Sequence, residues 1–442
     1  MTSDVLAAGA RGVGTILEGE LLRVVHLARV AGLHRLAAAG LRVARDVRDL
    51  ASEADDFDAN ALVEDLRELS VTAQLLSRDE VTPDVIGVAR RAYERIGHLR
   101  LVGLASEPVV AGRGYGGVVT HVIADDGTLY SISDVMPGGE ARARGAYDGS
   151  LVMGDTTITH RALSRGGLFV QDATSSEDHR LGAGKDVKAV RAANEAGWAA
   201  PAIRARFEEP LAAQLARAYD ALGIPATRRS RGATLVFLRG HVVGHDASAL
   251  LVAGEGGPVR LIAPPSHGTL FTFENIRQLS SAEGLGLEVL ADLVPDAPRT
   301  LALVAFGPWA KDAAPVRLVL PPEWRGVVNA GYDVIQGSHL EGRASRSAAA
   351  APPAEAVFDP LSPLRRRIVR VALLGTRSLP PEATAEIDAD RVALGRLFMF
   401  GAVEVLGALS AGARRRGELR DAWLAAATYA HAASIALWRD AW

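Results

Sequence analysis

Four polar side chains in the middle of the sequence have the residue types that acid–base chemistry needs. These candidate catalytic residues are Asp134, Asp155, His160 and His179. A hydrolase uses one group that accepts a proton and another that donates one, and carboxylates and imidazoles serve in both roles. The site forms only if the turns that carry the four residues converge. Because Asp is also common in turns and helix caps, residue types and spacing alone favour a structural role.

Two glycine-rich segments match nucleotide-binding loops in part. Residues 112–117, GRGYGG, fit G-x-G-x-x-G, but the sequence that follows, VVTHVIADDG, predicts a strand. A dinucleotide site needs a helix here, because the pyrophosphate binds at a helix N-terminus. Residues 181–186, LGAGKD, lack the first glycine and the Ser or Thr of a P-loop. We therefore expect no nucleotide cofactor.

Histidine spacing and the absence of cysteine bear on metal binding. His241 and His245 would share one ion on a helix, but RGHVVGHD predicts a strand, where residues i and i+4 lie about 13 Å apart. Only a sharp bend at Gly244 would bring the two imidazoles together. The 442 residues include no cysteine, which excludes disulfides, zinc–thiolate sites and iron–sulfur clusters. We expect no bound metal.

A nucleic-acid site is an alternative interpretation of the second half of the chain. Arginines bind phosphates and aromatic rings stack on bases. The candidate residues are Arg228, Arg229, Arg231, Phe271 and Phe273. Further arginine clusters lie at 365–367 and 414–416. Short arginine clusters that acids balance elsewhere are usually solvated surface, and two phenylalanines in a β region are usually core.

The composition is that of a globular protein, and we expect it to be cytoplasmic. A net charge of −3 gives no global field that would attract nucleic acid or an anionic membrane. No secretory signal is visible at the N-terminus. Residues 422–438 are uncharged but rich in Ala, with Thr, His and Ser among them. A spanning helix needs about 20 strongly apolar residues, so we expect a buried helix and no membrane association.

Helical periodicity dominates the first part of the chain. Apolar residues recur every three or four positions over 16–51, which predicts an amphipathic helix with a break near Gly32 or Gly40. A second helix follows Asp58, a plausible N-cap, and a third opens at Thr82 and extends over 82–99. Together they predict a helical bundle or long hairpin.

The middle of the chain has strand signals, and the fold class is α+β with several domains. Asp126-Gly127 between alternating apolar residues predicts a hairpin. Residues 188–222 look helical, with Trp198 and Phe207 as core anchors. Short strands over 233–320 predict a small barrel, for which an OB-like form is one option. The predicted domains are a helical domain at 1–98, an α+β domain with Gly-rich turns at 99–222, a barrel-like domain at 223–340, a linker at 341–362 and a helical domain at 363–442.

The central stretch resembles the region outside the zinc finger in actinobacterial SWIM zinc-finger family proteins. The matching text is GYGGVVTHVIADDGTLYSISDVMPGG and GDTTITHRALSRGGLFVQDATSSEDHRLGAGKDVKAVRA, with weaker matches around EEPLAAQLARAYDAL and GHVVGHDASALLVAGEGGPVRLIAP. The finger itself is a Cys/His site, and this chain has no cysteine, so its metal-binding role does not transfer. VRVALLGTRSLPP also looks like the opening of a bacterial helical family. The resemblance implies an accessory role beside MoxR-type AAA+ ATPases and von Willebrand factor A proteins.

Three functional hypotheses remain open on the sequence. The leading one is a non-enzymatic adaptor or scaffold whose protein partner is the AAA+ ATPase or the von Willebrand factor A protein. The second is nucleic-acid binding through the barrel and its arginines, for which affinity would fall steeply with salt. The third is a hydrolase that uses the four polar residues of the centre.

Overall fold

The protein, described from a computed structural model, consists of two compact units. One unit contains Met1–Arg91 and Phe358–Leu437, and the other contains Ala92–Val357 and Trp438–Trp442. The class is α+β, with helices at both ends and a β-rich centre, as the sequence predicts. The structure describes residues 2–442 except 56, 79–80, 89–92, 112–113, 185, 195, 226–227, 247, 265–269, 310–315, 343–348, 351–357, 381–382, 414 and 416.

Helices from both ends of the chain share one core in the first unit. Leu62 and Leu66 pack in the same apolar cluster as Leu364 and Trp423. The indole N–H of Trp423 donates to the carbonyl of Ile368 at 3.1 Å. The sequence predicts separate domains at the two ends, whereas here the two ends bury their apolar faces together. The helices are α1 (Thr2–Ala8), α2 (Thr15–Val30), α3 (His34–Ala51), α4 (Ala59–Ser77), α5 (Pro83–Ile86), and, later in the chain, α11 (Ser362–Leu374), α12 (Thr384–Arg396), α13 (Phe400–Gly412) and α14 (Leu419–Asp440).

Local signals place several ends of these helices correctly. The chain breaks between α2 and α3 at Gly32, whose φ is 76°, and α3 runs unbroken through Gly40. The Asp58 carboxylate accepts a hydrogen bond from the Asn60 N–H at 2.8 Å and caps α4. None of the described helices combines the length and the apolar character needed to cross a membrane.

The predicted third helix is wrong over most of its length. Thr82 caps α5 as expected, but α5 ends after four residues at Ile86. Gly87 follows with a φ of 73°, and a Cβ there would lie 2.7 Å from the backbone nitrogen of Arg35. A left-handed glycine pressed against a neighbouring helix ends α5. A strand begins at Glu94, within the stretch that the sequence predicts as helix.

The first sheet of the second unit has five antiparallel strands. Asp126-Gly127 forms the predicted hairpin turn, in which the Asp126 carboxylate accepts from the Thr128 N–H at 2.8 Å. Residues 188–192, predicted as helix, are the edge strand that pairs with the strand beginning at Gly167. The sheet order is β3-β2-β1-β6-β7, formed by β1 (Glu94–Ala111), β2 (Tyr115–Ala124), β3 (Leu129–Pro137), β6 (Gly167–Ser175) and β7 (Lys188–Ala192). Between β3 and β6 come α6 (Gly139–Ala146), β4 (Ser150–Met153), β5 (Thr156–Thr159) and α7 (His160–Arg165).

The second sheet follows two helices, α8 (Pro201–Glu208) and α9 (Leu211–Leu222). Its main order is β10-β9-β8-β11-β12-β14, and β10 also pairs in parallel with β12. The helix α10 (Thr272–Leu279) connects β10 to β11. The strands are β8 (Leu235–His245), β9 (Ala249–Gly254), β10 (Gly257–Ile262), β11 (Gly286–Leu293), β12 (Thr300–Pro308) and β14 (Val328–Asn329).

This sheet is OB-like but does not close into a complete barrel. Only three residue pairs join β10 to β12, from Arg260–Thr300 to Ile262–Ala302. Further along the same edge of β12, Ala305 and Phe306 pair with β14 instead. The OB-fold is itself a partly open five-stranded barrel. The expected small barrel is therefore corrected to an incompletely closed one.

The predicted linker contains short strands where the structure describes it. The strand β15 (Leu340–Gly342) pairs with β13 (Val316–Leu318). The strand β16 (Ala349–Ala350) pairs in parallel with β8. Most of the remaining linker residues lie outside the described part of the chain.

Aromatic residues bring the two sheets of the second unit together. Trp198 and Phe207, the predicted anchors, are buried beside Phe237 of β8 and Val304 of β12. Leu104 of β1 belongs to the same apolar cluster. The cluster therefore packs β1 against the second sheet, and this packing positions the site described next.

Candidate functional site

The strand β1 carries polar residues on both of its faces. Neighbouring residues of a strand point to opposite faces, and directly paired residues of adjacent strands share one face. Ser106 pairs with Thr120 of β2, so both side chains lie on one face, which we call the network face. Glu107 pairs with Val119, two residues from His121. Glu107 and His121 therefore share the opposite face, which we call the cavity face.

A bulge in β1 sets this arrangement. Gly103 pairs with Val122 but Ala105 pairs with His121, so Leu104 is an extra residue. An extra residue reverses the alternation of side chains beyond it. The indole N–H of Trp198 donates to the Leu104 carbonyl at 2.8 Å, which holds the bulge in place. Glu107 consequently lies on the face directed at the second sheet.

On the network face, buried hydroxyl groups hold one nitrogen of His160. The Thr120 hydroxyl oxygen lies 2.7 Å from the Ser106 hydroxyl and 2.7 Å from His160 Nδ1. All three residues are buried. Burial lowers the pKa of His160 to about 4, because the charged imidazolium loses its hydration. The imidazole is therefore neutral at neutral pH.

The rest of the network centres on Asn329 of β14. Its side-chain oxygen accepts from the Ser106 N–H at 2.6 Å, and its amide donates to the Tyr147 hydroxyl at 2.8 Å. The Asp333 carboxylate accepts from the Asn329 N–H at 2.8 Å and from the Arg165 guanidinium at 2.7 Å. All five residues are buried. Such a network fixes the geometry of a core and leaves little room for a substrate.

On the cavity face, the buried histidine contacts a carboxylate and not a hydroxyl group. Glu107 Oε1 lies 2.9 Å from His121 Nε2. His121 is completely buried, and none of the described residues forms a hydrogen bond with its Nδ1. A carboxylate at Nε2 favours the tautomer with a proton on that nitrogen. His121 therefore donates to Glu107 and fixes the orientation of its carboxylate.

Asp292 of β11 supplies a second carboxyl group. Burial and, to a lesser extent, the Glu107 charge raise the pKa of Asp292, which is about 6 with all of its neighbours included. A hydrogen bond with Thr234 and the nearby His121 act in the opposite direction. The Leu293 N–H also donates to Asp292 Oδ1, at 3.0 Å. Near neutral pH this carboxyl group exists in both its protonated and its ionised form.

The two acidic residues line one cavity of about 250 Å³. This is slightly smaller than the roughly 300–1,000 Å³ of common ligand sites, so it suits a compact ligand. Paired acidic groups are typical of proton transfer, and carboxylates also accept hydrogen bonds from amines. Arg231, an exposed residue, adds a positive charge. The lining residues are Glu107, Pro108, Val109, Val110, Arg231, Pro264, Asp292, Ala302, Leu303, Val304 and Gly331.

The four predicted catalytic residues occupy different places. The Asp134 carboxylate is paired with Arg142, and its charge opposes the lowering of the His160 pKa. Asp155 is exposed and accepts from the Ala189 N–H at 3.1 Å. His179 is exposed, and its Nδ1 lies 3.2 Å from the Leu129 carbonyl. No hydrogen bond in the described part of the chain joins any two of the four side chains. Among the described residues, the Asp134 charge does act on the pKa of His160.

The predicted nucleic-acid residues are partly occupied by other contacts. Arg228 forms an ion pair with Glu177 at 2.5 Å. Arg229 donates to the Ala221, Leu222 and Ile224 carbonyls, so it caps the end of α9. Arg231 lines the cavity. The two rings are exposed, Phe271 by 40% and Phe273 by 51%.

The other sequence motifs have structural contexts of their own. The sequence after the glycine segment 112–117 is strand, as predicted, because β2 begins within the segment at Tyr115 and continues to Ala124. His241 and His245 both lie in β8, and the His241 ring packs at 5.1 Å from Trp309. Arg366 and Arg367 form ion pairs with Asp390. Lys185, Arg414 and Arg416 lie outside the described residues.

Sequence reasoning missed Glu107, His121 and Asp292. Each is an ionisable residue within a largely apolar strand segment, such as VLADLV around Asp292. An ionisable residue inside an apolar strand is a signal in itself, because burying a charge is costly unless it is paired. Their proximity, however, depends on the bulge and on the packing of two sheets.

A second unusual feature lies in the helical unit, at the turn between α12 and α13. Phe398 is 76% exposed and Phe400 is 62% exposed, and their rings meet edge to face at 6.1 Å. Phe398 has a φ of 60°, in the left-handed region. We call this pair the aromatic tip.

No cluster of three or more His, Asp or Glu residues suited to a metal ion occurs among the described residues. Comparisons with protein-family models, with curated proteins and with solved structures find no match for the chain.

Proposed function

We propose that this protein is a non-enzymatic adaptor or scaffold in the bacterial cytoplasm, associated with a MoxR-type AAA+ ATPase and a von Willebrand factor A protein. The resemblance of the central stretch to SWIM-associated proteins motivates the choice of partners. The aromatic tip is the structural observation that carries the proposal, since an adaptor needs an exposed contact for a partner.

The aromatic tip presents apolar surface at a local energetic cost. A bulky residue in the left-handed region costs on the order of 1–3 kcal/mol. Phe398 takes that conformation without burying its ring. Unfavourable backbone geometry combined with exposed aromatic surface is common at binding sites. Neither feature of the aromatic tip stabilises the helical unit.

The tip suits an apolar pocket on a folded protein partner. Phenylalanine rings are effective anchors in interface centres because they bury a large area with few rotatable bonds. Arg396, also exposed, ends α12 two residues before Phe398 and adds a positive charge. We therefore expect an apolar pocket with an acidic rim on the ATPase or on the von Willebrand factor A protein.

The test is an affinity capture from the source bacterium after nuclease treatment, with the bound proteins identified by mass spectrometry. The wild-type chain is expected to retain the AAA+ ATPase or the von Willebrand factor A protein. The F398S/F400S variant should lose that partner at least tenfold. The matched control is F271S/F273S, which removes another exposed phenylalanine pair and should retain the partner.

The F271S/F273S control also tests the alternative function, which is nucleic-acid binding. If F271S/F273S alone abolishes an interaction, and that interaction is with nucleic acid and weakens steeply with salt, the nucleic-acid hypothesis replaces the adaptor. Equal capture of the two named proteins by wild type and F398S/F400S would show that the aromatic tip is not the contact. Robust turnover of a substrate, abolished by one mutation in the centre, would contradict the non-enzymatic assignment.

A further inference from the structure

We infer that the cavity between β1 and the second sheet binds a small zwitterionic molecule, with an amine held by Glu107 and Asp292 and an acidic group held by Arg231. This site is independent of the adaptor proposal. It lies entirely in the second unit and uses none of the aromatic tip.

The acidic side of the cavity matches an ammonium group. An ammonium has three donors and a positive charge, and two carboxyl groups from different strands can accept from it at once. His121 acts as a positioning residue here. Its Nε2 lies 2.9 Å from Glu107 Oε1, and its complete burial prevents the ring from turning away.

Arg231 provides the opposite charge on the same cavity. A guanidinium binds a carboxylate through two parallel hydrogen bonds, which makes it selective for planar acidic groups. Arg231 is exposed and Asp292 is half-buried, so the positive charge is the more exposed of the two. The apolar residues Val109, Val110 and Leu303 line the same space and suit a short aliphatic spacer between the two charges.

Proton release gives the site a distinctive signature. Burial and the Glu107 charge together raise the pKa of Asp292 to about 6, while Thr234 and His121 act to lower it. A bound ammonium would favour the ionised carboxylate and lower that pKa. At pH 6, where about half of the Asp292 groups are protonated, binding should release roughly half a proton per site.

The experiment is isothermal titration of the full chain with three matched probes, 4-aminobutyrate, butylamine and butyrate. We expect 4-aminobutyrate to bind most tightly, butylamine about tenfold more weakly and butyrate not at all. At pH 6 the 4-aminobutyrate enthalpy should change between two buffers of different ionisation enthalpy, because the released proton is taken up by the buffer.

Single substitutions show which residues cause the proton release and the affinity for 4-aminobutyrate. D292N should abolish the buffer dependence, and R231M should reduce 4-aminobutyrate affinity to that of butylamine. D155N, which removes an exposed carboxylate outside the cavity, should leave both unchanged. Circular dichroism and thermal unfolding of each variant separate a lost site from a lost fold.

Three results would overturn the inference. The first is an absence of saturable binding of 4-aminobutyrate to the folded wild-type protein. The second is butyrate binding as tight as that of 4-aminobutyrate, which would indicate an anion site. The third is a proton release that persists in folded D292N, which would place the titrating group elsewhere.

Discussion

The network face and the cavity face of β1 each include a buried histidine, but the histidine contacts a different kind of side chain on each face. Each has a buried histidine with one hydrogen-bonded ring nitrogen, and no residue that the structure describes bonds to the other nitrogen of either ring. His160 meets a hydroxyl and is neutral at neutral pH, whereas His121 meets a carboxylate. The partner, and not the burial, therefore distinguishes a structural histidine from one that can orient a functional group.

The neighbouring groups differ in the same way. On the network face, Asn329 and Asp333 join backbone and side-chain donors into one connected set. On the cavity face, Asp292 adjoins a cavity, and its pKa is displaced towards neutrality. A well-bonded buried network stabilises the fold, while a titrating carboxyl group beside open space is available for a ligand.

The largest expected effect comes from breaking the network face at Asn329. Asn329→Ala removes the acceptor for the Ser106 N–H and the donor to Tyr147, and it leaves buried polar groups unsatisfied. We expect the free energy of unfolding of the second unit to fall by about 4 kcal/mol. Urea unfolding followed by tryptophan fluorescence measures it, with D155A as the exposed control. A loss under about 1 kcal/mol would mean that the network contributes little to stability.

On the cavity face we expect a substitution to raise the free energy of unfolding and not to lower it. Asp292→Asn removes a carboxyl group whose ionisation is unfavourable in the folded state, and should stabilise the protein at pH 7.5 by about 2 kcal/mol. Asparagine keeps the oxygen that accepts from the Leu293 N–H. The same unfolding experiment at pH 7.5 and at pH 4 tests this, because the gain should vanish at the lower pH.

The pH profile sharpens the comparison further. The folded-state pKa of Asp292 is raised to about 6 from an ordinary value of 3.8, so its contribution to stability decreases as pH rises through this range. The folded-state pKa of His160 is lowered from 6.5 to about 4, so its contribution increases as pH rises from 4 to 6.5. The two slopes oppose each other between pH 4 and 6. D292N should therefore show a rise in stability of about 2 kcal/mol over this range that the wild type largely lacks.

A smaller loss is expected from a single hydroxyl of the network. Thr120→Val keeps the shape of the side chain but removes its contacts with Ser106 and His160 Nδ1. We expect a destabilisation of about 1–2 kcal/mol, measured by thermal unfolding. A neutral result would show that His160 finds another partner.

The smallest effect should occur at the cavity itself. Arg231→Met removes an exposed charge that lies outside the network, so stability should change by less than about 0.5 kcal/mol. Thermal unfolding beside the binding titration is the check. A large destabilisation would assign Arg231 a structural role.

Features with local causes were predictable from the sequence. The α+β class, the Asp126-Gly127 hairpin, the Asp58 cap and the break at Gly32 each depend on residues a few positions apart. Trp198 and Phe207 were also predictable as core anchors, because large aromatic side chains are usually buried.

The candidate site was not predictable in the same way. Ser106 and Asn329 are in direct contact although 223 residues separate them. Glu107 and Asp292 come from different sheets, and strand alternation alone would misplace Glu107 because the bulge reverses it. The third helix was wrong because helical periodicity over 82–99 did not register the left-handed turn at Gly87.

The bulge at Leu104 has a consequence for how this chain would tolerate insertions and deletions. Losing the codon for Leu104 would leave Ser106 opposite Thr120 and Glu107 opposite Val119, because Gly103 and Ala105 already pair with the adjacent residues Val122 and His121. Among divergent copies of this gene, a single-residue gap at this position would thus remove the bulge and keep the chemistry of both faces.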